Sequence, residues 1–541
     1  MRRKLMMGSL GLALAMIAVG LWQPAFSQTQ GLAAAAPSAV AWTGTWAASP
    51  QSSGTTFNQQ TLRQIVHTSI SGTAARVQLS NAFGSQPVTI TNVHIAQRTS
   101  GSSINTSTDR TVTFAGSAST TIAAGATAVS DAAPFTVNAL SDVAVSFYLP
   151  QPTGPATSHQ LGNQTNYVSA GDVAGSATLA SPQTNGSYYF LANLDVQNAA
   201  AEGAVATLGA SITDGVGSPG DANRRWPNDL AIRLNGAGRT IGVLNQGISG
   251  NRLLADGAGQ SAPNRFSRDV LSQPNVKWVI FSDDPINDLG SGNPPTGDQL
   301  ISATKQLITR AHQAGVKFLC STLTPFQGSG GWSQTGENGR AAFNAFVRGS
   351  GSGCDGVVDQ DLATHDPANP TRFLPSLDTG DHLHPNQAGL QAIADAVNLN
   401  LFTASPGGTV TGVVSLRAHA NGKLVTAENG GAAALIANRT AIGAWEQFDR
   451  IDNGNGTIAL RAHANNGIVT APNGGGSPLI ASASTVGAAE RFQVINNTDG
   501  SVSLRASVNS SFVCAENAGA ASLVANRAAI GAWEEFDLIL N

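Results

Sequence analysis

The chain has 541 residues, of which 41% are hydrophobic and only 11% are charged, and its net charge is −4. This length exceeds what one hydrophobic core supports, so about three or four domains are expected, and the hydrophobic content excludes a disordered chain. A negative chain lacks the basic surface that binds phosphate backbones, which argues against a nucleic-acid partner.

The first 27 residues have the pattern of a secretory signal peptide. Basic residues at positions 2–4 precede an apolar run over residues 5–22 and a small-x-small cleavage motif at 25–27. We therefore expect a secreted protein, extracellular or periplasmic, with no stable membrane association. The alternative is an uncleaved membrane anchor, because the apolar run is long.

From residue 41 to residue 198 the sequence predicts a β-sandwich accessory domain, which follows a linker over residues 28–40. Short runs of alternating apolar and polar residues are separated by Gly, Ser, Asn and Pro clusters, without a helical period. Examples of these runs are 75–80, 88–91 and 142–147. The histidines His67, His94 and His159 have no partner pattern nearby, so we predict structural roles for them.

From residue 199 to residue 404 apolar strands alternate with helical segments. The predicted strands are Val205–Leu208, Ile241–Leu244, Trp278–Phe281, Val316–Leu319 and Val357–Val358. The predicted helices are Trp226–Leu234, Gln299–Ala314, Glu337–Arg348 and Asn386–Leu401. This alternation is typical of an α/β domain with a doubly wound parallel sheet and helices on both faces.

Two of the three cysteines lie next to strands of this sheet. Cys320 follows one predicted strand, and Cys354 stands just before another. If the two strands are neighbours the sulfurs can meet, and export permits a disulfide, so we expect this bridge. The alternative is two buried thiols. Cys514 lies in a different segment and is expected to be a buried apolar residue.

An internal repeat follows a Pro-Gly linker over residues 405–412. A five-residue motif of the type Val-Ser-Leu-Arg-Ala begins at residues 414, 458 and 502, an offset of 44 residues each time. Three all-β units within residues 413–541 predict a threefold β-trefoil, because a propeller of this period needs at least about four blades.

Four segments of the α/β region carry unusual polar residues directly after predicted strands or before the last helix. They are a Gly-Ala-Ser turn at 209–211, a Gly-rich loop at 245–251, an Asp-Pro-x-Asn segment at 284–287 and an Asp-x-x-His segment at 381–384. In a parallel sheet the segments after the strands share one edge, where ligands bind. We therefore expect these four segments to converge.

The converging residues are sufficient for acyl transfer. Ser211 would attack a carbonyl carbon, His384 would accept the serine proton, and Asp381 would orient the imidazole. The backbone N–H groups of Ser211 and Gly250 and the side-chain amide of Asn287 would donate to the developing oxyanion. This chemistry needs neither a metal nor an organic cofactor.

These four segments, in this order, resemble the four sequence blocks of the SGNH/GDSL hydrolases, a family of serine esterases and lipases, over residues 203–402. The resemblance implies the same five roles for the same five residues. Two positions depart from the family pattern: Ala210 replaces an Asp before the serine, and Pro285 replaces a Gly before Asn287. Because proline fixes φ and has no N–H, we expect Pro285 to reshape the segment that presents Asn287.

Other interpretations of these residues remain open. Ser211 could be a helix N-cap without a chemical role. The 381–384 segment, helped by Asp283 and Asp284, could hold a divalent metal ion. Trp332, in a Gly-rich stretch, could line the substrate pocket or pack on the surface.

The three repeats resemble fascin-like β-trefoils attached to secreted polysaccharide-active enzymes, some of which bind glucans. By this resemblance Trp445 with Glu446, and Trp533 with Glu534, are candidate sugar contacts, since an aromatic ring stacks on a sugar and a carboxylate accepts from its hydroxyls. The middle repeat has Ala489 in place of the Trp. The alternative is that these tryptophans form the core of the trefoil.

Together the patterns predict a secreted serine esterase that hydrolyses O-acyl esters, acetyl esters among them, on polysaccharides. A glucan-type carbohydrate would bind the trefoil. Two alternative functions follow from the open interpretations: a catalytically degenerate scaffold that acts as a carbohydrate-binding protein, and a metal-dependent hydrolase.

Overall fold

The computed structural model describes residues 41–402, 409–453, 457–484 and 486–541. The predicted signal peptide and the linker over residues 28–40 lie outside these ranges. In the described ranges, none of the helices combines the length and the apolar character needed to span a bilayer.

Residues 42–197 form a β-sandwich, as predicted. Its strands are β1 Trp42–Ala47, β2 Gln51–Ser52, β3 Gln60–His67, β4 Ala74–Ser80, β5 Val88–Ser100, β6 Ser103–Ile104, β7 Arg110–Val112, β8 Ser119–Ile122, β9 Thr127–Val129, β10 Asp142–Leu149, β11 Thr157–His159, β12 Asn166–Ala170, β13 Gln183–Asn185, β14 Tyr188–Tyr189 and β15 Leu191–Gln197. One sheet has the order β1-β15-β4-β9 and a larger one contains β13-β12-β3-β10-β5-β6, while β14-β11-β2 form a third, small sheet. The apolar residues of alternating strand positions fill one core between the two larger sheets.

The second region is an α/β domain around a parallel sheet. Its strands are β16 Gly203–Gly209, β17 Ile241–Gly247, β18 Val276–Phe281, β19 Lys317–Ser321 and β20 Gly356–Val358, followed by the hairpin β21 His365–Asp366 and β22 Asn369–Phe373. Its helices are α1 Ser211–Asp214, α2 Trp226–Gly236, α3 Ala262–Phe266, α4 Asp284–Leu289, α5 Gly297–Gln313, α6 Gln334–Arg348, α7 Gln360–Thr364 and α8 Gln387–Ala396, with a π-helical turn at Ser267–Leu271 and 3₁₀ turns at Pro375–Leu377 and Leu399–Phe402. The strand order is β17-β16-β18-β19-β20, all parallel.

Helices cover both faces of this sheet, so its strands are apolar on both sides. In β18, Val279 and Phe281 point into one core and Trp278 and Ile280 into the other. A strand buried on both faces appears in the sequence as a continuous apolar run, which is why these strands were predictable. The chain turns from β17 on one side of β16 to β18 on the other, so the end of β16 lies at the switch point of the sheet.

The C-terminal region is a closed β-barrel, which we call the C-terminal barrel. Its strands are β23 Thr409–Ala418, β24 Leu424–Ala427, β25 Leu435–Arg439, β26 Phe448–Asp452, β27 Thr457–Ala462, β28 Ile468–Thr470, β29 Ile480–Ala483, β30 Phe492–Asn496, β31 Val502–Ala506, β32 Phe512–Ala515, β33 Leu523–Arg527 and β34 Phe536–Leu540, with 3₁₀ turns at Asn473–Gly475 and Ala488–Glu490. Six strands pair in a ring of order β23-β26-β27-β30-β31-β34, and β34 closes it by pairing with β23. The other six form three hairpins, β24–β25, β28–β29 and β32–β33, which touch one another through isolated bridges.

Two element boundaries differ from the sequence prediction. Strand β23 begins at Thr409, inside the segment predicted as a linker, because residues 409–412 pair with β26. The last helix of the α/β domain ends at Ala396, and a separate 3₁₀ turn covers Leu399–Phe402. The apolar pattern of the sequence continued across both pieces and could not show the break.

Candidate active site

The candidate nucleophile lies where β16 ends and α1 begins. Ser211 is the first residue of α1, and only 7% of it is exposed. The parallel register aligns Gly209 with Gly247, and Leu208 with Phe281. The segments that follow β16, β17 and β18 therefore leave the sheet at the same edge, as predicted.

Asp283 caps the short helix that carries the serine. Ala210 offers no side-chain hydrogen bond to this helix. Instead, Asp283 accepts from the Ile212 N–H at 2.8 Å and from the Thr213 hydroxyl at 2.5 Å. A β-carbon at Gly209 would collide with the Asp283 carboxylate, which explains the glycine at this position. Asp283, which follows β18, thus supplies the capping carboxylate, since the alanine at position 210 has none.

Ser211, His384 and Asp381 form a continuous hydrogen-bonded chain. The Ser211 Oγ lies 2.9 Å from His384 Nε2, and His384 Nδ1 lies 2.6 Å from Asp381 Oδ2. Because a carboxylate only accepts, Nδ1 carries the hydrogen, and Nε2 is left to accept the serine proton. This is the tautomer that a general base next to a serine requires.

Asp381 is held as a carboxylate by its own turn. Its Oδ1 accepts from the N–H groups of Leu383 and His384 at 2.9 and 2.8 Å, and from the Thr379 hydroxyl at 2.9 Å. Partial burial by itself would raise the pKa of Asp381, but the bonds from the His384 ring and from these N–H groups outweigh it and hold that pKa well below its ordinary value.

The three predicted oxyanion donors lie at the same sheet edge. In the described part of the chain, the backbone N–H groups of Ser211 and Gly250 donate to no other protein group. Gly250 has a φ of 80°, which favours glycine. One N–H of the Asn287 amide donates to the Asn251 carbonyl at 2.9 Å, which fixes the side chain and leaves the second N–H for a ligand.

Pro285 lies within the helix that presents Asn287. It occupies the first turn of α4, where the N–H groups have no partner inside the helix. This segment is therefore a helix, and it includes Asn287.

A cavity of about 450 Å³ adjoins the oxyanion donors. Residues from four different segments line it, among them Gly250, Arg252, Asn287, Phe326, Asp381 and Leu383. Trp332 does not line this cavity and packs partly buried against the core of one sheet face.

A fully buried arginine, Arg265 of α3, ties these segments together. Its guanidinium donates to the Gly209 carbonyl at the end of β16 and to the Gln246 carbonyl near the end of β17. It also donates to Asn251 Oδ1 at 3.0 Å and pairs with Asp284 Oδ1 at 3.2 Å. One side chain therefore contacts the strand that leads to the serine, the Gly250 loop and the start of the Asn287 helix. The role of Arg265 was not predicted from the sequence.

Burial raises the pKa of Asp284 to about 7, with the neighbouring Asp283 adding to the rise and Arg265 opposing it. Asp284 is fully buried, and its Oδ2 has no hydrogen-bond partner among the described residues.

The β-sandwich also reaches the site, through His159. This buried side chain was predicted to be structural, yet its Nε2 lies 3.0 Å from Asp214 Oδ1 of α1. The other oxygen, Asp214 Oδ2, accepts from the Ser249 N–H at 2.8 Å and from its hydroxyl at 2.6 Å. The other ring nitrogen, Nδ1, faces the Ser49 carbonyl at 3.1 Å. His159 of the sandwich thus contacts Asp214, and Asp214 in turn contacts Ser249, the residue that precedes Gly250.

Asp283 and Asp284, the two aspartates that could help the 381–384 segment to bind a metal ion, bond to different partners. Asp283 bonds to α1 and Asp284 to Arg265, as described above. Among the described residues, one group of three or more side chains has its imidazole and carboxylate ligand atoms within 4.8 Å of one another, namely His419, Asp499 and Glu535 of the C-terminal barrel.

The two other sequence predictions concern the disulfide and the barrel. Cys320 and Cys354 form a disulfide with a Cα–Cα distance of 5.8 Å, and Cys514 is buried, as expected. Trp445 and Trp533 are each 39% exposed and so do not belong to the barrel core. Glu446 and Glu534 are buried, and each accepts a backbone N–H at 2.8 Å, from Gly443 and Gly531.

Comparison with known proteins gives a family match within the α/β domain. Residues 207–392 match the model of the GDSL-like Lipase/Acylhydrolase family. No curated protein sequence matches the chain.

Several solved structures are similar to part of the chain. They include an acetyl xylan esterase, with 22% identity, 36% of this chain and 96% of that chain covered and a TM-score of 0.29. An alpha/beta hydrolase from the metagenome of Lake Arreo, Spain, has 21% identity, 36% and 94% coverage and a TM-score of 0.28. A designed protein of threefold symmetry has 20% identity, 24% and 97% coverage and a TM-score of 0.23.

The matched family segment begins within β16 and ends within α8, so it includes all four polar segments of the site. Residues 207–392 are therefore similar to the GDSL-like Lipase/Acylhydrolase family, and the similarity covers this part of the chain alone.

Proposed function

We propose that the α/β domain is a serine esterase that hydrolyses carboxylic esters through Ser211, His384 and Asp381. The observation that carries this proposal is the chain of hydrogen bonds from the Ser211 hydroxyl through the His384 ring to the Asp381 carboxylate. The family match to residues 207–392 supports the same reaction class.

Each residue has a role that follows from its position. Ser211 Oγ attacks the ester carbonyl as His384 Nε2 accepts its proton, and the imidazolium then returns this proton to the leaving alcohol. Asp381 stabilises the imidazolium. The oxyanion is held by the N–H groups of Ser211 and Gly250 and by the free N–H of Asn287. Water then attacks the acyl-enzyme by the same proton path, which releases the acid and restores the serine.

The natural substrate that we propose is an acylated polysaccharide outside the cytoplasm. The signal-peptide pattern of residues 1–27 and the Cys320–Cys354 disulfide support export. The C-terminal barrel, a ring of six strands with three hairpins, supports the proposal of a β-trefoil that brings the enzyme to a polymer.

The test is the hydrolysis of p-nitrophenyl acetate by the full chain and by its Ser211→Ala variant. We expect the variant to lose at least about a thousandfold in kcat, because the covalent route is removed. Ser329→Ala is the matched control, since Ser329 lines the cavity that adjoins the oxyanion donors and makes no hydrogen bond to His384. Equal activity of the Ser211→Ala variant and the wild-type protein would contradict the proposal.

A further inference from the structure

One arginine of the α/β domain, Arg252, differs from the others in its contacts. Its guanidinium donates no hydrogen bond and pairs with no carboxylate among the residues that the structure describes. Each of the other arginines of the domain donates at least one side-chain hydrogen bond to an oxygen atom, namely Arg224, Arg225, Arg233, Arg239, Arg265, Arg268, Arg310, Arg340, Arg348 and Arg372. Arg252 is only partly exposed. A partly buried cation is usually paired, because burial separates its N–H donors from water.

The backbone around Arg252 is firmly held. The carbonyl of Arg252 accepts from the Ala262 N–H at 3.0 Å, and the N–H of the next residue, Leu253, donates to the Asp288 carboxylate at 2.7 Å. Both neighbours in sequence, Asn251 and Leu253, are buried. The side chain therefore starts from a fixed point, and a mobile backbone does not explain why its guanidinium has no partner.

Arg252 lines the cavity of about 450 Å³ that adjoins the oxyanion donors. The lining contains one other charged residue, Asp381, whose carboxylate already accepts from four donors of its own turn. Apolar side chains, those of Ile286, Phe326 and Leu383, form much of the remaining wall. Arg252 is thus the charged group of this lining that is left to contact a ligand.

A structural role for Arg252 would involve the nearby buried carboxylate of Asp288. Burial raises the pKa of Asp288, and the N–H groups of Leu253 and Leu254 and the charge of Arg252 oppose that rise. The Asp288 oxygens accept from these two N–H groups, at 2.7 and 3.2 Å, and form no ion pair with Arg252. The influence of Arg252 on Asp288 therefore acts through space and leaves the N–H donors of the guanidinium available.

We propose that Arg252 binds a carboxylate of the substrate, so that the preferred esters of this site carry a negative charge close to the ester bond. A guanidinium is always charged and can donate two parallel N–H bonds to one carboxylate. The carboxylate can belong to the acyl group, as in the half-ester of a dicarboxylic acid, or to the alcohol, as in an acylated uronic acid. This inference rests on the proposed function in that the ligand is an ester, whereas the binding of a carboxylate does not depend on turnover.

The first test compares kcat/KM of the full chain for two pairs of esters. Mono-p-nitrophenyl adipate against p-nitrophenyl hexanoate places the charge on the acyl side, and acetylated methyl glucuronoside against acetylated methyl glucoside places it on the alcohol side. We expect a preference of about tenfold or more for the charged member of one pair, which identifies the side. Arg252→Gln should remove this preference, and Arg252→Lys should keep part of it, because an ammonium group retains the charge but not the two parallel donors. Arg417→Gln, at an exposed position of the C-terminal barrel, is the control for net charge.

The second test measures binding without turnover, by titration calorimetry in a Ser211→Ala background. We expect monomethyl adipate to bind more tightly than methyl hexanoate, or methyl glucuronoside more tightly than methyl glucoside, and Arg252→Gln to abolish the difference. Thermal unfolding of each variant separates lost binding from lost folding.

The two tests separate a failure of this inference from a failure of the proposed function. A binding preference without any hydrolysis of p-nitrophenyl acetate would support the carboxylate site and contradict the esterase. Hydrolysis without a charge preference in either pair would overturn the carboxylate site alone. An equal loss of kcat/KM for charged and neutral esters in Arg252→Gln would also overturn it, because the guanidinium would then act on the ester group that both share.

Discussion

The two sides of the candidate active site are held in different ways. The histidine side is self-contained: Asp381 and His384 belong to one short turn, and most of their hydrogen bonds come from residues 379–384. The oxyanion side is not. Gly250 and Asn287 lie on segments that are positioned by the buried Arg265, which also contacts Ser49 of the β-sandwich.

The β-sandwich contacts the supports of the oxyanion side, through Ser49 and His159. On the histidine side, hydrogen bonds within the exposed turn of residues 379–384 are enough to hold Asp381 and His384 in place. The oxyanion side depends on buried charges, and breaking a buried pair by removing one partner costs about 3–5 kcal/mol. We therefore expect substitutions on the histidine side to change catalysis with little change in stability, and substitutions on the oxyanion side to change both.

The largest effect is expected from Asp381→Asn. The amide can present an N–H to His384 Nδ1, which moves the ring hydrogen to Nε2 and removes the base that faces Ser211. We expect kcat for p-nitrophenyl acetate to fall by about 10⁴-fold. The unfolding temperature should fall only slightly, because the Asp381 carboxylate, which its turn stabilises, is half exposed. Asp378→Asn is the control, because Asp378 makes the same kind of bond to the exposed His382 of the same turn. A fall of less than about tenfold would place the base elsewhere.

Asn287→Ala is the next in size. It removes one donor to the oxyanion, which is charged only in the transition state, so we expect kcat to fall by about 10²–10³-fold while KM changes little. The control is Asn293→Ala, in the exposed loop after the same helix. An increase in KM without a fall in kcat would mean that Asn287 binds the substrate in its ground state instead.

The histidine side could be predicted from the sequence because its residues are close in sequence and point to one chemistry. Asp381 and His384 form a local motif, and Ser211 sits in a strand–turn–helix pattern. The apolar strands on both sides of the sheet were equally visible, since burial on both faces leaves an uninterrupted run.

The support of the oxyanion side was not visible, because its partners are far apart in sequence. His159 lies 55 residues before Asp214, and Arg265 contacts Ser49 across 216 residues. The sequence did contain one signal for Arg265 and Asp284. In a chain with only 11% charged residues, charges inside the apolar α/β region are candidates for buried pairs. Pro285 alone could not show the local structure, since a proline can break an element or lie in the first turn of a helix, and here it lies in the first turn of α4.

His159→Gln tests whether the β-sandwich positions the oxyanion loop. Loss of the contact to Asp214 leaves a buried carboxylate with a weaker partner next to Ser249, so we expect kcat to fall by on the order of tenfold and the unfolding temperature to drop. Adding Asp214→Asn should recover part of kcat, because a neutral pair replaces the broken one.

The matched control for this substitution is His94→Gln. His94 forms a comparable pair with Asp109 at 2.8 Å, but within the sandwich alone. A lower unfolding temperature with unchanged kcat in His159→Gln would limit His159 to a structural role.

The last prediction concerns stability rather than rate, and it involves the buried carboxyl group of Asp284 on the oxyanion side. Burial raises the pKa of Asp284 to about 7, whereas a carboxyl in the unfolded chain has a pKa near 4. Between these values the folded protein holds a proton that the unfolded chain has released. The free energy of unfolding therefore falls as the pH rises through this window, by at most about 1.4 kcal/mol per pH unit.

Asp284→Asn has no such proton, so its stability relative to the wild-type protein should rise between about pH 5 and about pH 7. Chemical denaturation of both proteins across this range measures the difference. Asp298→Asn, an exposed position at the start of α5, should run parallel to the wild-type protein. If Asp284→Asn also runs parallel, Asp284 is ionised throughout, and the pair with Arg265, rather than burial, sets its charge.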